Sequence, residues 1–309
     1  MYNDWLSIGK FTIHGYGVMI AIGFALAIYV SYFRAKKKGM NYDVIPDIAI
    51  IAMIGGFLGA KILYIIVEFK AFLQDPLSVI GLAGFVVYGG IVAAVGLSAL
   101  WLKHKKLNFL DYFDLVMPQV ALAQGFGRLG CFFAGCCYGA QTDSFLGIVF
   151  PKGCCAPAGV KLWPTQLFSS GGDFVIALIL YICSAKRKKK GDIGALYLIL
   201  YGIGRFIVEF FRNDPRGAVG ALSTSQFISI FIVVAGIAFM VILRLIDKKK
   251  TAESAEEVKT EAAAENEEKT PEESAESDEE KETAESGEEK ETAESGEEKE
   301  TAESGEDDK

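Results

Sequence analysis

Two arginines carry a permanent positive charge into stretches that are otherwise apolar. Arg128 lies in the glycine-rich run GFGRLGCFFAGCCYG at 125–139, and Arg205 lies in YGIGRFIVEFFR at 201–212. A guanidinium stays protonated in proteins, so a buried one requires an anion, a carboxylate or a polar cavity. The residues leave two interpretations open: a structural ion pair that holds helices together, or a pocket for an anionic, membrane-soluble substrate.

The stretch around Arg205 would place several polar side chains on one face of a helix, because they follow one another at intervals of three or four residues. They are Tyr197, Tyr201, Arg205, Glu209 and Arg212. An Arg205–Glu209 pair that only neutralises itself is one interpretation, but it leaves Arg128 without an obvious partner. The excess of positive charge predicts a bound anion, and in a membrane the natural anion is a phospholipid headgroup.

Seven runs are long and apolar enough to cross a membrane as helices, since a span needs about 20 mostly apolar residues. They cover 16–33, 44–67, 85–102, 113–133, 165–183, 193–211 and 222–246. The first run lacks the flanks of a cleavable signal peptide, so we expect it to remain as an anchor. Lys61, inside the second run, is expected to pair with Asp173 or to reach toward the interface. The sequence predicts an all-α integral membrane protein with seven transmembrane helices.

Basic residues are distributed unevenly between the two sides of these runs. The junctions after runs one, three, five and seven hold 16 Lys and Arg when Arg244, at the end of run seven, is counted with them, and the opposite segments hold six. Because Lys and Arg accumulate on the cytoplasmic side of membrane proteins, this asymmetry predicts an N-terminus outside and a C-terminus in the cytoplasm. It also places the end of run four, the loop 138–164 and the end of run six on the outer side.

Five of the six cysteines are close together in sequence. They are Cys131, Cys136, Cys137, Cys154 and Cys155. Zinc sites need thiolates or imidazoles at ligand spacing, and neither His14 nor His104 is nearby, so we predict no metal site. A disulfide between the pairs at 136–137 and 154–155 fits the outer location. We expect Cys136, Cys137, Cys154 and Cys155 to be structural or redox-active thiols, with a catalytic thiol as the alternative.

The chain divides by charge after residue 250. Residues 1–250 hold 25 Lys and Arg against 13 Asp and Glu, whereas 251–309 hold 6 Lys against 26 Asp and Glu. The tail ends in a nine-residue repeat that begins at Lys281, Lys290 and Lys299. Low hydrophobicity and high charge leave this segment nothing to bury. We predict a seven-span membrane domain over 1–250 and a disordered acidic tail over 251–309.

Six short motifs in this order resemble the bacterial phosphatidylglycerol–prolipoprotein diacylglyceryl transferases. They are HGYGVM at 14–19, YGG at 88–90, GRLG at 127–130, PTQL at 164–167, RFIVEFFRNDPRG at 205–217 and LSTSQ at 222–226. The resemblance covers residues 10–248 and leaves out the acidic tail. It implies transfer of diacylglycerol from phosphatidylglycerol to the lipobox cysteine thiol of a preprolipoprotein, with release of glycerol 1-phosphate. It implies no cofactor and no nucleic-acid partner.

The resemblance also implies roles for individual residues and a location. Phosphatidylglycerol would be bound by His14, Tyr16, Gly127, Arg128 and Gly130. Arg205 would stabilise the phosphate or the leaving group, and Glu209 would orient Arg205. Tyr88, the third residue of the catalytic group, stands where many members carry histidine. The enzyme would lie in the bacterial cytoplasmic membrane among its lipids, with the active site toward the outer leaflet and the lipobox of the signal peptide as its second partner.

The chain departs from the family pattern around the cysteines. The family commonly continues the GRLG signature with Asn and later Asn-Gly-Glu, where this chain has Cys131 and Ala-Gly-Cys at 134–136. Trp163 stands in place of a histidine before PTQL, and Phe-Ser at 168–169 in place of Tyr-Glu. Two alternatives therefore stay open. One is a small-anion transporter or channel, although no internal repeat is evident. The other is a thiol-redox or lipid-binding relative that uses Cys131, Cys136 and Cys137.

Overall fold

The computed structural model describes residues 3–9, 11–81, 84–186, 189–212, 218–219 and 222–268. The chain forms two units, Met1–Lys248 and Lys249–Lys309, and each is described by itself. All of the predicted site residues belong to the first unit. Residues 213–217 of the RFIVEFFRNDPRG motif and residues 269–309 of the acidic tail lie outside the described residues.

Seven helices of 18 residues or more run through the described part of the chain, one for each of the predicted runs. They are α1 Gly15–Lys37, α2 Val44–Val67, α5 Val87–His104, α6 Phe109–Ala134, α7 Thr165–Lys186, α8 Asp192–Glu209 and α9 Thr224–Glu268. The short helices α3 Phe69–Gln74 and α4 Pro76–Ile80 lie between α2 and α5. Helix α6 begins four residues before the predicted run because Asn108 caps it, accepting a hydrogen bond from the Leu110 amide at 2.9 Å.

Five of the described helices are long and apolar enough to cross a membrane. They are α1, α2, α5, α7 and the Thr224–Lys249 part of α9. Helices α6 and α8 carry more charge, including Arg128 on the first and Arg205 and Glu209 on the second. The architecture is that of a helical integral membrane protein, in which the two less apolar helices carry the charged residues of the predicted site.

Helix α9 continues beyond its apolar part and ends at Glu268. The sequence predicts disorder from residue 251, so the structure differs from that prediction over 251–268. Ala, Glu and Lys, which favour helices, make up most of this segment.

Within the described residues, three short antiparallel hairpins add strands to the predicted all-α fold. They are β1 Asp4–Ile8 with β2 Phe11–His14, β3 Ile148–Val149 with β4 Lys161–Leu162, and β5 Ala218–Val219 with β6 Leu222–Ser223. Strand β2 runs directly into α1, and β6 runs directly into α9. The β1–β2 hairpin thus sets where α1 begins, and the β5–β6 hairpin sets where α9 begins.

Helices α1, α6, α7 and α8 form the body that holds the site. Ala121 of α6, Leu180 of α7 and Ile193 of α8 are buried in one apolar cluster. Helix α1 approaches α6 at Gly23, where an added Cβ would meet the Phe126 side chain at 2.8 Å. Close approach at small residues is the usual way in which helices pack inside lipid, where there is no hydrophobic drive between them.

Helices α2 and α5 form a second close pair. Gly59 of α2 and Gly89 of α5 face each other so closely that a Cβ on Gly89 would overlap the Gly59 carbonyl oxygen. Gly90 makes the same kind of approach to the carbonyl of Gly56, one turn away. The two glycines of the YGG motif therefore serve helix packing.

Candidate functional site

The two arginines singled out from the sequence line the same cavity. Arg128 of α6, Asp173 of α7 and Arg205 of α8 line one small cavity, which Tyr201 also lines. Asp173 is 7% exposed, and its carboxylate interacts electrostatically with both guanidiniums. The three helices thus bring two permanent positive charges and one carboxylate to one cavity.

Arg205 is held by side chains from its own helix and from α9. Its Nη2 atom lies 3.0 Å from Glu209 Oε2, one turn along α8, and donates a hydrogen bond to Ser225 Oγ at 2.8 Å. Glu209 in turn accepts a hydrogen bond from Ser223 Oγ at 2.9 Å. The side chains of Arg205 and Glu209 are only 14% and 5% exposed. The LSTSQ motif at the start of α9 therefore fixes the direction of the Arg205 guanidinium.

The environment of Arg128 differs from that of Arg205. Among the described residues it has no hydrogen bond and no carboxylate within ion-pair distance, although it interacts over longer range with Tyr201, Cys131, Asp173 and Cys137. Its donors are therefore available to a ligand in the cavity. A guanidinium presents its N–H groups in a planar fork that matches phosphate and carboxylate oxygens. This site can bind an anionic group.

A close contact between α6 and α7 sets the width of this cavity. The Ser170 hydroxyl donates a hydrogen bond to the Gly125 carbonyl at 2.9 Å, and the Phe174 ring lies where a Cβ on Gly125 would stand. A side chain at position 125 would displace the Phe174 ring. Gly125 thus allows the Arg128 helix to lie close to the Asp173 helix.

The other residues predicted to bind or react lie outside this cavity. Tyr88 is 50% exposed on α5. His14 ends β2, and its Nδ1 lies 2.6 Å from Asp4 Oδ1. Tyr16, in the first turn of α1, packs where a Cβ on Gly130 would come within 3.2 Å of its ring. Gly127 is next to open space, since a Cβ there would meet no atom within 4 Å.

Lys61 is engaged at the end of the α2–α5 pair. Its Nζ donates to the Gly81 carbonyl at 2.6 Å and lies 4.9 Å from the centre of the Phe85 ring. Asp173, the carboxylate suggested for it from the sequence, lines the arginine cavity instead. The Lys61 charge therefore supports the connection before α5.

The segment after α6 folds back sharply over the end of its own helix. Gly135 is left-handed, with φ of 68°, and the Cys136 amide donates to the Cys131 carbonyl at 3.1 Å. A left-handed glycine with this pairing is the common way to end a helix. Cys137 is also left-handed, with φ of 61°, and such backbone is rare for a residue other than glycine. The reversal returns Cys136 and Cys137 to the side chain of Cys131.

The three sulfurs are consequently grouped. The Sγ atoms of Cys131, Cys136 and Cys137 all lie within 4.8 Å of one another, and each residue is partly buried. Hydrogen bonds from the other two thiols, helped by the charge and hydrogen bond of Arg212, hold the pKa of the Cys137 thiol below its usual range against the opposing effect of burial. The sequence prediction did not treat the three thiols as possible metal ligands, because no histidine is nearby. The feature that could have indicated the grouping is the interval of five residues between Cys131 and Cys136 across the end of a helix.

The residues of the PTQL motif hold this segment in place. Thr165 Oγ1 donates to the Cys137 carbonyl at 2.8 Å, and Gln166 Nε2 donates to the Cys136 carbonyl at 2.8 Å. Both side chains are buried. The motif at the start of α7 thus orients the cysteine segment, a role that the sequence alone did not indicate.

The predicted disulfide between the two cysteine pairs is not formed, because all six cysteines are free thiols in the described residues. Cys154 Sγ donates instead to the Pro151 carbonyl at 3.1 Å, and Cys155 is exposed. The Sγ atoms of Cys136 and Cys137 lie within 4.8 Å of that of Cys131.

Known proteins match most of the chain. Residues 4–242 match the family described as "Prolipoprotein diacylglyceryl transferase". A relative from Clostridium perfringens, named phosphatidylglycerol–prolipoprotein diacylglyceryl transferase 2, is 50% identical over 244 residues, which are 78% of this chain and 95% of that protein. Relatives named phosphatidylglycerol–prolipoprotein diacylglyceryl transferase are 49% identical in Clostridium tetani, over 73% of this chain and 91% of theirs, and 34% identical in Streptococcus uberis, over 77% and 94%.

Proposed function

The chain belongs to the prolipoprotein diacylglyceryl transferase family, and we propose from this premise that it binds its lipid donor in the cavity between Arg128 and Arg205. Its reaction is the transfer of the diacylglyceryl group from phosphatidylglycerol to prolipoproteins. One observation supports the site assignment most directly. The Arg128 guanidinium lines the cavity, and no acceptor among the described residues takes a hydrogen bond from it.

The phosphate of phosphatidylglycerol is the anion that fits this cavity. Arg128 offers unoccupied N–H donors, whereas Arg205 is oriented by Glu209 and Ser225. Glu209 is paired with Arg205 and Asp173 lies near both guanidiniums. The singly charged phosphodiester is therefore bound through the N–H donors of Arg128, for which the described part of the protein supplies no acceptor. The diacylglyceryl tails extend from the cavity into the surrounding lipid.

In the chemical step, the thiolate of the lipobox cysteine attacks the glyceryl carbon and forms a carbon–sulfur bond. The bond between the glyceryl carbon and the phosphate oxygen breaks, and its electron pair stays on that oxygen of the departing glycerol 1-phosphate. Charge therefore increases on the phosphate as the bond breaks. Two guanidiniums held in advance at that position stabilise the transition state more than the ground state.

The membrane topology that suits this reaction has seven spans, with the N-terminus outside and the C-terminus in the cytoplasm. It includes α6 and α8 beside the five more apolar helices, and the excess of Lys and Arg after α1, α5, α7 and α9 supports it. The reaction then occurs toward the outer leaflet of the bacterial cytoplasmic membrane. Exposed Cys155 provides a test: in a variant with the other five cysteines replaced by serine, a membrane-impermeant maleimide should label intact spheroplasts, and a lack of labelling until lysis would contradict this orientation.

The site assignment is tested with the purified full-length chain in nanodiscs that contain phosphatidylglycerol labelled in its acyl chains. Label should pass to a lipobox peptide and fail to pass to the same peptide with serine in place of cysteine. Arg128→Ala should reduce the rate by about 10²- to 10³-fold, the effect of removing one donor to a developing negative charge. The matched control is Lys152→Ala, which removes an exposed cation outside the cavity.

Three results would contradict parts of this proposal, and each would contradict a different part. Normal transfer by Arg128→Ala would show that the phosphate binds elsewhere, although the family reaction stands. Transfer that fails for the wild-type chain with phosphatidylglycerol but proceeds with another phospholipid would overturn the choice of donor. Equal loss in Lys152→Ala and Arg128→Ala would mean that surface charge, and not this cavity, governs the rate.

A further inference from the structure

We propose that Cys131, Cys136 and Cys137 form a three-thiolate site for a soft divalent metal ion such as Zn²⁺, whose fourth coordination position takes the acceptor cysteine thiol of the prolipoprotein. The inference rests on the proposed function, which it deepens by supplying a means of activating the thiol.

The geometry of the three sulfurs suits such an ion. Tetrahedral zinc with Zn–S bonds of about 2.3 Å requires sulfurs about 3.8 Å apart, and the three Sγ atoms lie within 4.8 Å of one another. A shift of about 1 Å, within the reach of side-chain rotation, closes the site. A catalytic zinc site keeps three protein ligands and one open position, which is the number that this segment offers.

The backbone that carries these thiols is fixed before any ligand arrives. Gly135 ends α6 in the left-handed conformation, and the carbonyls of Cys136 and Cys137 accept hydrogen bonds from Gln166 and Thr165. Such supporting contacts are typical of ligand-binding segments, because they hold the first ligands in position.

Charge around the cluster also favours a metal–thiolate group. Three thiolates and one divalent cation carry a net negative charge, and two arginines compensate it. Arg212 interacts electrostatically with Cys137, and Arg128 interacts electrostatically with Cys131 and Cys137. The same Arg128 lines the phosphate cavity. The metal site would therefore stand beside the lipid phosphate.

The fourth position is accessible to a thiol. Each of the three cysteines is only partly buried, and Gly127, one turn before Cys131 on the same face of α6, is next to open space. The chain also carries Tyr88 and Trp163 where the resemblance noted in the sequence leads us to expect histidine. A metal ion would supply the activation of the thiol that a neutral phenol or indole cannot.

The reaction balances without any change of oxidation state. The acceptor thiol releases its proton to solvent as its sulfur binds the metal. A sulfur electron pair then forms the bond to the glyceryl carbon, and the electron pair of the breaking carbon–oxygen bond leaves with glycerol 1-phosphate. The thioether product is a weaker ligand than the thiolate and dissociates. Zinc has no redox chemistry, so no oxidant or reductant is needed.

The metal site is tested with the full-length protein in nanodiscs, reduced and treated with chelator, by adding Co²⁺ alone. Stoichiometric binding should produce thiolate-to-metal charge-transfer absorption and the visible bands of tetrahedral cobalt, and Zn²⁺ should displace them. Cys131→Ser, Cys136→Ser and Cys137→Ser should each remove these bands. Cys155→Ser, which changes an exposed thiol outside the cluster, should leave them intact. Gln166→Ala should weaken Co²⁺ binding by about 10- to 100-fold through the supporting contact.

The open position is tested with the lipobox peptide. Its cysteine form should shift the cobalt bands, and its serine form should not. Absence of thiolate–cobalt bands, a disulfide among the three cysteines in the protein as isolated before reduction, or a spectrum that the cysteine peptide does not change would each overturn the inference. These measurements need no catalytic turnover. A negative result for metal binding would therefore leave the Arg128-dependent transfer reaction unaffected. Conversely, a cobalt site in a chain whose transfer does not require Arg128 would contradict only the phosphate site.

Discussion

Arg34 and Arg128 show two ways in which this protein holds an arginine inside its helices. Arg34, near the end of α1, donates from Nη1 to the Leu115 carbonyl and Gln119 Oε1, both at 3.0 Å, and from Nη2 to Ser184 Oγ at 2.7 Å. Its guanidinium also lies 5.1 Å from the centre of the Tyr181 ring. Arg128 has no such set of acceptors among the described residues and lines a cavity.

The difference shows that a partly buried arginine is not by itself the sign of a ligand site. The protein satisfies the Arg34 donors with neutral acceptors, so that guanidinium ties α1 to α6 and α7. The Arg128 donors remain available, so their desolvation is compensated only when an anion enters. Function should therefore depend on Arg128, and stability on Arg34.

The variant expected to have the largest effect is Arg128→Gln, which tests whether Arg128 serves function rather than stability. Diacylglyceryl transfer should fall by about 10²- to 10³-fold, because a charge opposite the developing phosphate charge is lost. The midpoint of thermal unfolding should not decrease, since no protein hydrogen bond to Arg128 is removed. Transfer rates and thermal melts in the same detergent check both halves of the prediction. A large drop in the melting midpoint would mean that Arg128 is structural, like Arg34.

Arg34→Met should give the opposite pattern. The carbonyl of Leu115 and the side chains of Gln119 and Ser184 would each lose a donor, at a cost of about 1–3 kcal/mol in the free energy of unfolding. The rate per folded molecule should stay near that of the wild type. Unfolding in a denaturing detergent and transfer per folded protein measure these two quantities. A loss of rate without a loss of stability would contradict the assignment of Arg34 as a structural arginine.

Glu209→Gln probes the intermediate case, Arg205, which both lines the cavity and has protein partners. The change keeps the shape but removes the charge that holds the guanidinium, so Arg205 can rotate away from the phosphate position. We expect transfer to fall by about 10-fold and the free energy of unfolding to fall by about 3 kcal/mol, because Arg205 stays buried while its paired charge is lost. Ser225→Ala, which removes the other hydrogen bond to Arg205, should act in the same direction with a smaller effect. An unchanged rate in both variants would remove Arg205 from the site.

Tyr88→Phe is expected to have the smallest effect of the series. The resemblance predicts a catalytic Tyr88, and general acid–base residues contribute about 10²- to 10⁴-fold. In the structure Tyr88 is half exposed on α5, outside the arginine cavity, so a change of less than about twofold is expected from geometry. Steady-state transfer kinetics decide between these values. A loss of 10²-fold or more would show that α5 moves toward the cavity when substrates bind.

The long helices and the pairing of Arg205 with Glu209 could be predicted from the sequence, because both depend on local spacing. Apolar runs of sufficient length form helices in lipid wherever their partners lie, and residues four apart on a helix are neighbours in any fold. The helical segment at 251–268 was missed because composition indicates only that a segment has nothing to bury. It does not exclude a helix formed by residues of high helix propensity.

The positions of Asp173, Thr165 and Gln166 could not be predicted, because they depend on how α7 packs against α6. The sequence suggested Lys61 as a partner for Asp173, but the Gly125–Ser170 contact brings the Asp173 helix to the arginines. The predicted disulfide failed for a related reason. The reversal at Gly135 groups the thiols of Cys136 and Cys137 with that of Cys131, and the Cys154 thiol donates to the Pro151 carbonyl.

The sequence by itself determined that this chain spans a membrane and that it carries guanidiniums with more positive charge than nearby carboxylates can balance. Composition and spacing decide those properties, because the charge of arginine and the length of a span do not change with the fold. Only the tertiary structure decided that Arg128 and Arg205 share a cavity while Arg34 does not. Hydrogen-bond acceptors from other helices satisfy one guanidinium and leave another available, and no local pattern contains the distances between helices.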